Sequence, residues 1–342
     1  MPELRRDPIT GRWVAYSPER MRRPMPYRFP DVNEVDAEQD PFAEGNERFT
    51  PPEVYAVRPG GGPANGPGWK VRVVPNRYPA LRVEGDLDKE GVGFYDKMNG
   101  IGAHEVIIET PHPGEQLEDL ALVDFVQVLK AWQARMLDLA QDLRFRYLQV
   151  FKNFGPLAGA TLPHAHSQLV ALPVTPLALK EKLRAAQAHF LAKERNLFED
   201  ILRYERQVRE RVVLENAGFL VFCPFASRFA YETVLMPKRQ ESDFARTDGH
   251  DLVLLADALR QILRLYRRGL EKPSYNLVLV TAPVRTPRKD YWRTIDQDFR
   301  WHVELCPRLG GIAGFELGTG CFMNPVLPEV AAEQLRKVQR DA

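Results

Sequence analysis

The chain has 342 residues, of which 44% are hydrophobic and 27% charged, and its formal net charge is +1. This length suggests two domains or one large unit built from two halves, and the near-neutral charge gives no bulk electrostatic reason to bind nucleic acid or an anionic membrane. The three widely spaced cysteines, Cys223, Cys306 and Cys321, argue against a disulfide framework, and a thiolate-rich zinc site cannot be built from them.

The first 68 residues predict an arm followed by a loop. The N-terminus has no apolar stretch of the signal-peptide type, and no run of about 18 apolar residues occurs in the sequence, so we expect a cytoplasmic protein that does not enter a membrane. A short strand is predicted at Trp13–Tyr16, and a basic cluster, Arg20, Arg22 and Arg23, follows it. Residues 31–68 are acidic and then rich in proline and glycine, which favours a loop.

Two similar series of elements follow the loop. Alternating and β-branched runs predict strands, and apolar residues at helical spacing predict one long helix in each series. The first series has strands at 69–74, 106–109, 147–151 and 167–172, and its helix at 117–143. The second has strands at 219–222, 231–236, 275–280 and 301–305, and its helix at 252–270. A charged helical stretch, 177–211, separates the two series.

This pattern is an internal repeat of about 100 to 120 residues. We therefore predict an α+β fold with two tandem halves, residues 1–175 and 176–342, each an antiparallel sheet with a long helix. The first copy ends in H-A-H-S-Q at 164–168 and the second in H-V-E-L-C at 302–306, an alignment that sets His164 against His302. One copy is predicted to be catalytic and the other supporting.

The histidine segment suggests phosphoryl chemistry. On a strand, His164, His166 and Gln168 would project from one face. The preceding loop, 153–161, holds two glycines, whose backbone amides can approach phosphate oxygens closely. An imidazole is both a nucleophile at phosphorus and a leaving group near neutral pH, and a neutral amide can hydrogen-bond a phosphate oxygen without titrating. From these residues alone, nucleophilic catalysis, metal ligation and an ordinary polar strand remain alternatives.

Six segments carry a resemblance that covers nearly the whole chain: RRDPITGRWV, SPERMRRP, GNERFTPPE, VVPNRYPAL, FKNFGPLAGATLPHAHSQ and GFELGTGCFMNP. Through them the sequence resembles the galactose-1-phosphate uridylyltransferase family, the transferase branch of the histidine-triad superfamily, which includes adenylyl-transferring relatives such as ADP-glucose phosphorylase. The resemblance implies two histidine-triad-like halves and a ping-pong cycle. In that cycle His166 attacks the α-phosphorus of a nucleotide sugar, Gln168 holds the transferring phosphoryl oxygens, and His164 positions its neighbour.

The resemblance also implies a set of residues that bind nucleotide, phosphate or sugar: Arg20, Arg23, Asn76, Asn153, Gly159, Thr161, Phe315 and Glu316. Each of four predictions has an alternative that stays open. The arm arginines could be solvated, Asn76 could be mainly a turn residue, Phe315 could serve packing, and Glu316 could be a surface charge. The C-terminal segment is expected to reach a site on the partner subunit of a homodimer.

The metal sites of the family are not reproduced in this sequence. Asp40-Pro41-Phe42-Ala43 stands where many members have a C-P-x-C pair, and 196–199 stands where some have a second cysteine pair. A residual zinc site would use Asp40, His112 and His164, short of the four ligands expected for structural zinc. His302 and Glu304 lie where some relatives bind a second metal. We expect that neither site holds a metal and that hydrogen bonds and packing replace it.

The expected function is transfer of UMP between UDP-hexose and hexose 1-phosphate through a nucleotidyl-His166 intermediate. The alternative is an adenylyl-transferring ADP-sugar phosphorylase or transferase with the same mechanism. A nucleotide hydrolase is a third hypothesis, although a histidine-triad hydrolase typically has a third histidine where Gln168 stands. A non-catalytic nucleotide-sugar binding protein is the fourth, and the presence of both His166 and Gln168 argues against it.

Overall fold

The computed structural model describes residues 2–19, 39–285 and 292–340. Its strands are β1 (Glu3–Arg6), β2 (Trp13–Tyr16), β3 (Tyr55–Val57), β4 (Val71–Pro75), β5 (Glu90–Val92), β6 (Tyr95–Lys97), β7 (Ala103–Ile108), β8 (Tyr147–Phe154), β9 (His166–Leu172), β10 (Val212–Glu215), β11 (Phe219–Phe222), β12 (Thr233–Pro237), β13 (Tyr275–Val280), β14 (His302–Pro307) and β15 (Phe322–Asn324). Its α-helices are α1 (Leu122–Leu139), α2 (Leu177–Lys193), α3 (Leu197–Val208), α4 (Gly249–Gly269), α5 (Ile295–Asp298), α6 (Gly314–Thr319) and α7 (Pro328–Arg340).

One ten-stranded antiparallel sheet runs through both halves in the order β10-β11-β12-β14-β13-β8-β9-β7-β4-β3. The order is symmetric about its centre, where β8 pairs with β13 and Phe154 lies opposite Tyr275. Each strand that the first half contributes to this sheet therefore has a counterpart in the second half, and β9 corresponds to β14. This confirms the α+β class and gives the internal repeat a structural basis. The predicted boundary at 175/176 lies between β9 and α2, and the sheet continues across it.

The helix of each series packs on the same face of the sheet. Helices α1 and α4 contact each other, and their apolar residues join one core that draws on both halves. In α1 the buried residues Phe125, Leu129, Trp132 and Met136 recur at helical spacing, as an amphipathic helix requires. Because each fully buried large side chain contributes about 1.5–3 kcal/mol, this shared core stabilises the two halves together.

The opposite face of the sheet, called the front face below, is covered differently in the two halves. In the first half, the segment 40–50 and a small cluster that includes Phe42, Trp69 and Ile108 lie against it. In the second half, residues of α2 and α3 pack against it. A small sheet, β1-β2-β15, sits beside the second half, where Val14 and Tyr16 pack on Ala226. No helix within the described ranges is long and apolar enough to cross a membrane.

Several predicted boundaries differ from the observed ones for identifiable reasons. The first helix was predicted from 117, but α1 begins at Leu122, because the buried Leu117 and Leu120 lie in preceding turns and only imitate helical spacing. The stretch 177–211 forms two helices, since Glu194 turns left-handed with φ of +54° and Asn196 caps α3. The short strands β1, β3, β5, β6, β10 and β15 and the helix α7 were not predicted.

Candidate active site

The proposed nucleophile, His166, is the first residue of β9 and pairs with Ile108 of β7. Its Nδ1 lies 2.8 Å from the backbone oxygen of His164. Because a carbonyl oxygen only accepts, Nδ1 carries the proton and Nε2 keeps its lone pair. The side chain is only 7% exposed, and the Phe42 ring meets it edge-on at 5.4 Å. Burial, followed by the positive charge of Lys152, lowers the pKa of His166 to about 4, so the imidazole is neutral at physiological pH.

A buried ion pair supports His166 from behind the sheet. The Lys152 ammonium donates to Glu109 Oε2 at 2.7 Å and to the His166 backbone oxygen at 3.2 Å. On the same side, Trp132 Nε1 donates to Ser167 Oγ at 2.8 Å, which fixes β9 against α1. The sequence analysis missed Lys152 and Glu109. A lysine that follows Leu148 and Val150 on the apolar face of β8 was the signal that could have revealed them.

The amide of Gln168 is oriented by a residue that the sequence analysis also missed, His104 of β7. The backbone N–H of Ala80 donates to His104 Nδ1 at 3.2 Å, so Nε2 carries the ring proton and donates to Gln168 Oε1 at 2.8 Å. The Gln168 amide nitrogen is then the group that can donate to a ligand. Asn76 stands beside this pair, with its amide nitrogen 3.2 Å from His104 Nε2, and its side-chain oxygen accepts from the Tyr78 backbone N–H.

The structure corrects the expected placement of His164 on the strand. The prediction placed this residue on one strand face with His166 and Gln168, but it precedes β9 and lies outside the strand. Its Nδ1 lies 2.6 Å from Asp40 Oδ2 and its Nε2 lies 2.7 Å from the Thr110 backbone oxygen. An oxygen acceptor therefore lies at hydrogen-bond distance from each ring nitrogen, and the two contacts fix the orientation of the ring. Burial opposes ionisation of Asp40, but the hydrogen bond and charge of His164 outweigh it and lower the pKa of Asp40.

These contacts do not fit a zinc site. Each ring nitrogen of His164 lies within hydrogen-bond distance of an oxygen acceptor, so neither faces an open position where a metal could bind. The third candidate ligand, His112, is exposed. Across 2–19, 39–285 and 292–340, no group of three or more His, Cys, Asp or Glu side chains is arranged to hold a metal ion. The Asp40–His164 contact instead links the segment 40–50 to the start of β9.

The glycine-containing loop before the histidines is held by the second half. Gly155 has a φ of +78°, and a Cβ there would lie 2.3 Å from Ser274 Oγ, so only glycine fits this close approach. Asn276 of β13 donates its amide hydrogens to Asn153 Oδ1 at 2.8 Å and to the Ala158 backbone oxygen at 2.9 Å. The carbonyl of Asn153 is thus engaged, and its amide nitrogen is the group that can donate to a ligand.

The remaining predicted site residues fall into three groups. Gly159, with a φ of +86°, and Thr161 are exposed on the same loop as Asn153. Phe315 and Glu316 lie in α6, which packs beside β15 on the side of the second half, and the structure does not bring them to His166. Glu316 accepts from the backbone N–H of Ala313 at 3.0 Å and so caps its own helix. Arg20 and Arg23 lie outside the described residues.

The start of β14 in the second half shows how the two copies align. His302 is the first residue of β14, as His166 is of β9, and its Nδ1 likewise lies 3.0 Å from the carbonyl two residues earlier, that of Arg300. His302 is therefore the counterpart of His166, and Glu304 that of Gln168. The predicted match of His164 with His302 was wrong by two residues. Burial lowers the pKa of His302 as it does that of His166.

The residue two positions after the histidine differs between the halves. Glu304 forms ion pairs with Lys182 and with Arg228, whose Nη2 lies 2.9 Å from Oε2. Burial would raise the pKa of Glu304, but these two cations outweigh it and hold that pKa well below its usual range. An ionised carboxylate thus occupies the place of the neutral amide. Unlike an amide, it has no hydrogen to donate to a phosphoryl oxygen at His302, and Lys182 lies against it where a metal would otherwise bind.

Comparisons with known proteins identify the family and the fold that the chain shares. The family model for the N-terminal domain of galactose-1-phosphate uridyl transferase matches residues 1–176. An ADP-glucose phosphorylase from Arabidopsis thaliana is 34% identical over 98% of this chain and 93% of its own length. A galactose-1-phosphate uridylyltransferase from Thermotoga maritima is 28% identical over 99% of both. The crystal structure of an A. thaliana ADP-glucose phosphorylase with bound ADP-glucose superposes with a TM-score of 0.84 at 33% identity, over 98% of this chain and 99% of that one.

Proposed function

The chain belongs to the galactose-1-phosphate uridylyltransferase family of nucleotidyl-transferring enzymes, and from this we propose that His166 carries a nucleoside monophosphate from a nucleotide sugar to a second acceptor. The observation that carries the proposal is the state of His166. Its Nδ1 proton is held by the His164 carbonyl, its ring is neutral, and Nε2 is the nucleophilic atom.

The proposed cycle consists of two displacements at phosphorus. In the first, Nε2 of His166 bonds to the α-phosphorus, and the bond from that phosphorus to the bridging oxygen breaks. Hexose 1-phosphate leaves with that oxygen and needs no proton. The positive charge that develops on the ring is stabilised through its Nδ1–H by the His164 carbonyl. In the second displacement an acceptor oxygen attacks the phosphorus, and Nε2 departs with its electron pair.

Gln168 is proposed to stabilise the phosphoryl oxygens during both displacements. Because His104 donates to its Oε1, the amide nitrogen is the group available for an oxygen that gains charge in the transition state. A neutral donor also explains why transfer is favoured over the hydrolase hypothesis. A phosphate leaving group requires no general acid, and the typical third histidine of a hydrolase is replaced here by glutamine.

Two nucleotides are supported to a similar degree. Transfer of UMP between UDP-hexose and hexose 1-phosphate is the first expectation, and the match with uridylyltransferases supports it. Transfer of AMP from ADP-glucose, with phosphate as acceptor, is the second candidate. It is supported by the 34% identity with an ADP-glucose phosphorylase and by the similarity to a structure with bound ADP-glucose. Both use the same His166 intermediate.

We also propose a homodimer in which the C-terminal segment completes the partner's site. Phe315 is 41% exposed on α6 and lies away from His166 of its own chain. An exposed aromatic side chain on a short helix suits contact with a sugar in another subunit. Sedimentation at increasing concentration tests the dimer, and a monomer throughout would contradict it.

Capture of labelled nucleotide tests the mechanism. The protein is incubated with UDP-glucose or ADP-glucose labelled at the α-phosphorus, then denatured in base, where a phosphorus–nitrogen bond survives, and afterwards treated with acid, where it is cleaved. We expect acid-labile label on the protein, and the nucleotide that delivers it identifies the base. His166→Ala should capture none, while the exposed His250→Ala should behave as the unaltered protein. Label that survives His166→Ala, or no label from any nucleotide sugar, would contradict the proposal.

A further inference from the structure

The second half contains a cavity of about 790 Å³ that the proposed reaction does not use. It lies between the front face of the second half of the sheet and the helices α2 and α3, and the turn between β1 and β2 closes one side. His302 and Glu304 line it, so it occupies the position in the second half that the His166 site occupies in the first. Its volume lies within the range of about 300–1,000 Å³ typical of small-molecule sites.

The charge at the inner wall excludes a second transferase site. Glu304 is ionised, and it is paired with Lys182 and Arg228. A phosphoryl group placed against His302, as the reaction would require, would meet this carboxylate where the first half offers an amide. Any phosphate that enters the cavity must therefore lie away from His302.

The other walls suit a flat, partly apolar group. Ile201, Met236 and Val278 contribute apolar side chains. Two amides, Gln149 and Asn276, also line the cavity, and their nitrogens already donate to oxygens of the protein. Their carbonyl oxygens are the groups that can accept from N–H groups of a nucleobase.

Two arginines on the cavity lining can receive an anion. Arg308 is partly buried and lies 4.8 Å from the Phe229 ring centroid, and within the described chain its Nε is buried without a hydrogen-bond partner. Arg12 makes a long ion-pair contact, 3.4 Å, with Glu181, and its guanidinium lies 6.0 Å from the Phe322 ring centroid. Among the described residues the Arg308 guanidinium has a ring contact but no ion-pair partner, and a phosphate oxygen in the cavity would supply one.

We propose that this cavity binds a nucleoside phosphate without transferring it, with the base against the apolar and amide walls and the phosphate at Arg12 and Arg308. The site shares Asn276 with the catalytic loop, because the same side chain lines the cavity and holds Asn153 and Ala158. An occupant is therefore in position to affect the loop, although its binding does not depend on His166 chemistry.

Hydrogen–deuterium exchange on the full chain tests the proposal with AMP and UMP as probes. At a ligand concentration about ten times its dissociation constant, exchange through openings that release the ligand slows about tenfold. We expect this protection in residues 6–12 and 223–229, which border the cavity, with at least one nucleotide. The matching nucleoside should bind about tenfold more weakly or worse, since it lacks the charge-assisted bonds of the phosphate. His166→Ala should retain the protection.

Two variants place the binding in the cavity. Val278→Trp fills the space and should abolish protection of residues 6–12 and 223–229, whereas Val253→Trp, at an exposed position of α4, should not. If Val278→Trp does not fold, Arg308→Glu reverses the charge on the lining and should weaken AMP or UMP at least about tenfold. The proposal would be overturned if protection is confined to residues 153–168 or is unchanged in both cavity variants. It would also be overturned if neither nucleotide protects the residues that border the cavity. Label capture on His166 is measured separately, so the two proposals can fail independently.

Discussion

The starts of β9 and β14 are two copies of one arrangement with different chemistry. Each strand begins with a buried histidine whose Nδ1 is held by the carbonyl two residues earlier, at 2.8 Å for His166 and 3.0 Å for His302. Two residues further on, the first copy has Gln168, oriented by His104, and the second has Glu304, neutralised by two cations. The fold therefore supplies a neutral, oriented imidazole in both halves. We propose that the residue two positions after the histidine decides whether phosphoryl transfer is possible beside it.

The largest effect is expected from removing the nucleophile. His166→Ala should lower kcat for nucleotidyl transfer by at least ~10⁴-fold, since loss of a covalent nucleophile removes the reaction path rather than one interaction. Steady-state transfer with the labelled donor measures it, and His250→Ala is the matched control. A decrease in kcat of less than about tenfold would show that the first copy is not the reacting one, and would contradict the proposed difference between the copies.

The next test replaces Gln168 with glutamate, the residue type that the second copy has at the corresponding position. Gln168→Glu keeps the side-chain length but replaces the amide donor with a carboxylate. Loss of one such donor costs about 10²–10³ in kcat, and repulsion of the phosphoryl oxygens should add to it. Gln141→Glu, at an exposed turn after α1, introduces the same charge away from the site and should retain the rate. Equal rates for the two variants would mean that the residue two positions after the histidine does not distinguish the copies.

A smaller effect is expected at His104, which positions Gln168. His104→Ala removes a hydrogen bond worth about 0.5–1.5 kcal/mol, so kcat should fall up to about tenfold. KM for the nucleotide sugar should change less, because the amide acts mainly on the transition state. His104→Gln places an amide N–H near the former Nε2 and should recover most of the rate. If kcat is unchanged in the alanine variant, Gln168 is oriented by other contacts.

The smallest change in the transfer rate is expected when the pH is varied within the physiological range. Only the neutral form of His166 attacks, and its pKa is lowered to about 4, so protonation inactivates it only in acid. At pH 6 about 99% of His166 should be neutral, whereas an ordinary histidine with a pKa of about 6.5 would be mostly protonated. The rate of label capture from pH 5 to 8 checks this. A half-maximal rate near pH 6.5 would contradict the buried, neutral state of His166.

Local patterns made part of this site predictable. The alternation of His166 and Gln168, the glycines of the loop and the repeat of strands and helices all depend on residues close in sequence. The prediction for His164 was wrong because β9 begins two residues later, which local alternation could not reveal. The orientation of the His164 ring depends on its contact with Asp40, which is distant in the sequence, as well as on the residues next to His164.

Contacts between distant parts of the chain were not predictable. His104 and Gln168 are 64 residues apart, and Lys182 and Glu304 are 122 residues apart. Such pairs depend on strand register and on where α2 packs, which follow from the whole core. Glu316 is a different case, because its carboxylate caps α6 through the nearby backbone N–H of Ala313, a local use that the motif alone did not indicate.

The central claim, that the two copies share a fold but only the first reacts, is tested most directly by locating the captured nucleotide. Protein labelled with the effective nucleotide sugar is digested under basic conditions, and the modified peptide is identified by mass spectrometry. We expect one nucleotidyl group per chain, on the peptide that contains His166, and no modification of the peptide that contains His302. Modification of His302, or label distributed between both peptides, would contradict it.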